Sequence, residues 1–116
     1  MKVGLDLNGT VDEDPATFQS LMSSLRAAGH QVVILTGCSA PKPTKADKRE
    51  KKQLLEEIGC GHCYDKIVLF GDPPHKAKAK WIRKHHVDLY IDNSVANAQL
   101  AAPYTTVFLA WNDKVD

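Results

Sequence analysis

Five short apolar runs punctuate the chain: VGLDL (3–7), VVILT (32–36), KIVLF (66–70), VDLYI (87–91) and TTVFLA (105–110). Each is rich in Val, Ile, Leu and aromatic residues, the composition of a strand. Between the first two, Phe18, Leu21, Met22 and Leu25 recur at helical spacing behind Asp14-Pro15, an N-cap residue followed by a first-turn proline, and Gly29 ends that helix. A strongly charged segment from Thr44 or Lys45 to Ile58 carries Leu54, Leu55 and Ile58 on one side and stops at Gly59. A third helix is predicted from about His75 to His85 with Trp81 and Ile82 facing inward, and a fourth from about Val95 to Ala102, before Pro103. Strict alternation of strand and helix predicts an α/β fold. Its expected form is a three-layer, Rossmann-like parallel five-stranded sheet, with right-handed crossovers and helices on both faces.

The 116 residues are expected to form one domain over 1–116, long enough for a core and too short for a second domain. A formal charge of +1 gives no global footprint for nucleic acid or an anionic membrane. The basic residues are nonetheless uneven, concentrated in 42–52 and 75–86, and the first of these runs flanks the rim where a polyanion would lie, although a solvated helix face is the favoured reading. No apolar run approaches the roughly 20 residues that span a bilayer. The chain opens on a strand instead of a signal segment, so a cytoplasmic protein is expected. Three Cys are too few for a disulfide framework. Cys60-Gly-His-Cys63 has the spacing of half a zinc site, which only distant residues such as His75 or Cys38 could complete; free thiols in a helix-to-strand turn are favoured.

Polar residues gather where the strands end. Asp6, Asn8, Gly9 and Thr10 follow the first strand, Thr36-Gly37 the second and Asp92-Asn93 the fourth, while Lys76 and Lys78 open the third helix. Loops 38–44 and 71–75 belong to the same rim. In open α/β sheets, ligands bind at the carboxyl ends of the strands.

The stretch VGLDLNGT resembles the first motif of the haloacid dehalogenase-like (HAD) superfamily; VVILTG resembles the second, and KAKWIRKHHVDLYIDNS the third and fourth combined, over residues 2–98. The resemblance implies a Mg²⁺-dependent phosphohydrolase that acts on a phosphate monoester through an aspartyl-phosphate at Asp6. Thr36 and Gly37 would hold the phosphate with Lys78, preferred over Lys76. Asp6, Asp92, Asn93 and the backbone carbonyl of Asn8 would hold Mg²⁺, with Asn97 able to assist. Asn8 departs from the pattern, because the family's phosphatases carry at that position an acid that protonates the leaving group. An amide cannot, and such help is typically worth about 10²–10⁴-fold in rate. The chain is then a slow or substrate-assisted phosphatase, a catalytically impaired relative that binds a phosphorylated ligand or partner, or a phosphatase whose acid has been replaced by design. A receiver-like module phosphorylated on Asp6 is a third, less favoured class. No cap segment interrupts the motifs, so an open rim is expected. That suits a phosphorylated polymer end, on nucleic acid, protein or saccharide, unless an oligomeric neighbour closes it over a small molecule.

Overall fold

The computed structural model describes residues 1–111. Among them strands and helices alternate as β1 (Lys2–Leu5), α1 (Pro15–Ala27), β2 (Gln31–Gly37), α2 (Lys45–Glu57), β3 (Lys66–Phe70), α3 (His75–Lys84), β4 (Leu89–Asp92), α4 (Val95–Ala101) and β5 (Thr106–Leu109), with a 3-10 turn at Val11–Glu13. The strands form one parallel sheet in the order β3-β2-β1-β4-β5. The expected Rossmann-like, three-layer architecture is therefore present.

Alternation along each strand divides the core. Val3, Leu5, Val32, Ile34 and Ile91 face α1 and α2, where they meet Met22 and Leu55. Val33, Leu35, Phe70 and Tyr90 face α3 and α4, where they meet Ile82 and Ala101. The helix starts follow the local chemistry. Asp14 accepts a hydrogen bond from Thr17 N ahead of Pro15, and Thr44 and Asp47 form a reciprocal capping box at α2.

Of the boundaries that differ from the sequence expectation, those of β1 and β4 matter most for the rim. β1 ends at Leu5 because Leu7 O turns to accept Thr10 N and Asp12 N, which lifts the chain out of the sheet; Asp6 N still donates to Ile91 O at 2.9 Å. β4 runs on through Asp92 because its carbonyl accepts Ala110 N at 2.8 Å beside β5. From β1 the chain winds outward through β2 and β3, then returns to the other side of β1 as β4. The winding reverses between β1 and β4, the place where such sheets open a crevice.

Candidate functional site

Asp6 and Asp92 stand on either side of that reversal. Tyr90 and Asp92 are two residues apart on β4 and so project from the same face, toward α3 and α4. Gly4 makes room for Tyr90 and Leu35, since a Cβ there would lie 3.3 Å from Tyr90 Cδ1 and 3.0 Å from Leu35 Cδ1. From α3, Lys78 reaches into the same space and is only 2% exposed. Its Nζ donates to Asp6 Oδ1 at 2.7 Å and lies 3.5 Å from Asp92 Oδ2. One buried ammonium thus joins two strand-end carboxylates that are 86 residues apart in sequence.

Asp92 is a hub. Its Oδ1 accepts Ser94 N at 2.9 Å, and its Oδ2 accepts Asn97 Nδ2 at 2.8 Å and the Tyr90 hydroxyl. Asn93, turned so that its amide nitrogen faces oxygens rather than its carbonyl, donates to Asp92 Oδ1, Asp6 Oδ2 and Thr10 Oγ1 at 3.1–3.2 Å. Thr10 Oγ1 in turn donates to Asp6 Oδ2 at 3.3 Å. The lone pairs of Asp92 are engaged, whereas Asp6 Oδ1 carries Lys78 alone. Gly9 adopts φ +84° directly under Asn93, where a Cβ would fall 2.5 Å from the side-chain amide. Any side chain there would displace the amide.

The charges do not balance: two carboxylates face one ammonium. Burial pushes the Asp6 carboxyl up to about 6; Lys78 pulls it back and Asp92 pushes it further. The Tyr90 phenol is driven far above its ordinary range by burial, and next by the Asp92 charge, so it remains a neutral donor.

Of the residues singled out in the sequence, Asp6, Lys78, Asp92, Asn93 and Asn97 meet here. Lys76 is exposed and stands outside the cluster. Asn8 is exposed, bonded to Lys51 Nζ at 2.7 Å and Asp12 Oδ2 at 3.3 Å, and so faces α2. Thr36 is buried at the end of β2 with its hydroxyl directed to Gly37 O at 3.4 Å; Gly37 packs under Pro74. Neither is hydrogen-bonded to the cluster among the described residues. Sequence reasoning missed Tyr90, although the period-2 spacing to Asp92 signals it, and gave Thr10 no contact of its own. It also missed His75 as a partner of Asn97. Because Asn97 Nδ2 donates to Asp92, its Oδ1 must accept, and His75 Nδ1 carries the proton between them. Cys60 and Cys63 are free, buried thiols, and no trio of His, Cys, Asp or Glu side chains is grouped to hold a metal among the described residues. The half zinc site is not completed.

No family model matches the chain, and no curated protein matches it. Among solved structures it is similar to a universal stress protein, determined by crystallography in complex with cAMP, at 17% identity and a TM-score of 0.59 with 96% of each chain covered. At that identity the likeness speaks for the fold. It corrects the family expectation, because the matched fold is a Rossmann-like one different from that of the haloacid dehalogenase-like superfamily. With the family goes the activity it implied: Mg²⁺-dependent phosphohydrolysis through an aspartyl-phosphate on Asp6 is withdrawn. The physical reason is that acids, hydroxyls and a helix-borne Lys collect at the strand ends of doubly wound sheets generally. Their order along the chain follows the winding and does not by itself specify a reaction. No helix among the described residues is long and apolar enough to cross a membrane.

Proposed function

We propose that this chain is a binding module for a phosphorylated small molecule of the nucleotide class, held at the β1–β4 reversal with its phosphate against Lys78. The observation that carries the reading is the buried Lys78 ammonium at the carboxyl rim, braced by Asp6 and Asp92. A Lys so nearly excluded from water is costly unless paired, and here both partners sit at the ligand-binding edge of the fold. The complex of the similarly folded universal stress protein with cAMP, itself a phosphorylated small molecule, supports the ligand class. Asn8 offers neither acid nor base, in keeping with binding in place of turnover.

Charge sets a condition on this reading. Asp6, Asp92 and Lys78 together carry one net negative charge when Asp6 is ionised, which repels a phosphate. Either a proton on Asp6 or a divalent cation arriving with the ligand removes the repulsion. Mg²⁺ is commonly held by one or two carboxylates together with phosphate oxygens. Asp6 would hold it from the protein side, where it would supply charge neutralisation.

Calorimetric titration with AMP, cAMP and inorganic phosphate, with and without Mg²⁺, tests the proposal. Saturable binding that is lost in Lys78→Gln, in a variant whose circular dichroism shows it folded, is the expected result. Absence of binding by all three ligands, or unchanged affinity in the folded variant, overturns it.

A further inference from the structure

Beside the carboxylate–lysine cluster lies a cleft of about 330 Å³ bounded by Gly9, Thr10, Glu13, Phe18, Leu109 and Trp111. Its walls come from the loop after β1, the start of α1 and the end of β5. Thr10 belongs to both places, because the residue that lines the cleft also donates to Asp6 Oδ2. The cleft therefore adjoins the proposed phosphate site, with Thr10 between the two.

Its chemistry is not that of a phosphate site. Phe18, Leu109 and Trp111 make an apolar wall, and Trp111 is 78% exposed, so its indole is open to a flat ring entering the cleft. Glu13 and Asp14 are the charged groups on its lining, both acidic, so a second phosphate is repelled from this direction. A ring system bearing hydroxyl or amino donors suits it: the ring lies against Trp111 and the donors meet Glu13. The volume is at the lower end for small-molecule sites, roughly 300–1,000 Å³.

Building on the phosphate reading above, we infer that this cleft is the nucleoside subsite, taking the base of a nucleoside monophosphate against Trp111 while its phosphate lies at Lys78. Aromatic stacking of a base is worth about tenfold or more in affinity when the aromatic is cut to Ala.

The test uses the whole chain carrying Trp81→Phe, so that Trp111 is the one fluorescent indole. AMP, adenosine, ribose 5-phosphate and inorganic phosphate are titrated against it, with calorimetry in parallel. AMP is expected to quench Trp111 and to bind about tenfold or more tightly than ribose 5-phosphate. Trp111→Ala should bring AMP down to the ribose 5-phosphate level while inorganic phosphate binds as before. If inorganic phosphate binds and the AMP preference is absent, or survives Trp111→Ala, the nucleoside subsite is refuted and the phosphate site stands. If adenosine alone binds and quenches, the phosphate site falls and the cleft assignment is upheld. If no ligand binds, both fall.

Discussion

Replacing Asp6 with Asn should make the protein more stable at pH 8, although it breaks the shortest ion pair in the cluster. The carboxyl of Asp6 titrates at about 6 in the fold against 3.8 for an unperturbed Asp, because burial outweighs the attraction of Lys78. The folded state therefore holds this proton more tightly than the unfolded state, and stability falls as pH rises from about 4 to about 6. Above that window the ionised Asp6 costs about 3 kcal/mol, from a shift of roughly two units at 1.36 kcal/mol each. Asn approximates the protonated carboxyl: its Oδ1 can still accept Lys78, and Asn93 can reverse its amide to meet the new Nδ2. Urea unfolding followed by circular dichroism at pH 8 and pH 4 measures the difference. The Asn variant should gain up to about 3 kcal/mol at pH 8 and lose that advantage by pH 4. A variant less stable than the parent at pH 8 would refute the reasoning, since it would mean that the Lys78 pairing outweighs the burial of Asp6.

Other consequences of the cluster can be measured separately. Lys78→Met strips the counter-charge from two buried carboxylates and should cost about 3–5 kcal/mol in urea unfolding at pH 8, with much of the loss recovered in the double variant with Asp6→Asn. Tyr90→Phe removes a buried donor to Asp92 and should lower stability by about 2 kcal/mol at pH 8, by the same assay. Gly4→Ala presses a methyl group toward Leu35 and Tyr90 and should cost about 1–3 kcal/mol of overpacking, read as a lower melting temperature. In Mg²⁺-free buffer, phosphate affinity measured by calorimetry should rise as pH falls from 8 toward 6, and that rise should be smaller in Asp6→Asn, where the site is already less negative.

The fold was legible because its signals are local and repeated. Each strand is a short apolar run, each helix has its cap or its stop, and alternation forces a parallel sheet; Asp14-Pro15 and Thr44 begin their helices where those residue types favour it. Rim placement was legible for the same reason, since a polar residue directly after a buried strand has nowhere else to go. The choice between Lys76 and Lys78 was partly legible from the side that Trp81 and Ile82 define, and Lys78 is the one buried. What the sequence concealed is how Asp92 is satisfied. Five groups from β4, the following turn, α3 and α4 converge on it, and a hydrogen-bond hub of that kind follows from packing angles that no spacing encodes.

The same consideration separates motif from chemistry. An acid, a threonine, a lysine and a second acid in that order describe how a sheet is wound, and the functional meaning lies in which lone pairs remain open once the fold is made. At Asp92 the donors have taken them, so this residue acts as a brace for Lys78. At Asp6 one oxygen still carries the ammonium alone, and burial raises the carboxyl to about 6. The phosphate of the proposed ligand would meet a site whose charge a single proton, or a single accompanying cation, can change. On the binding function proposed here, ligand affinity would be set at Asp6, and selectivity between phosphorylated compounds at the cleft beside Thr10.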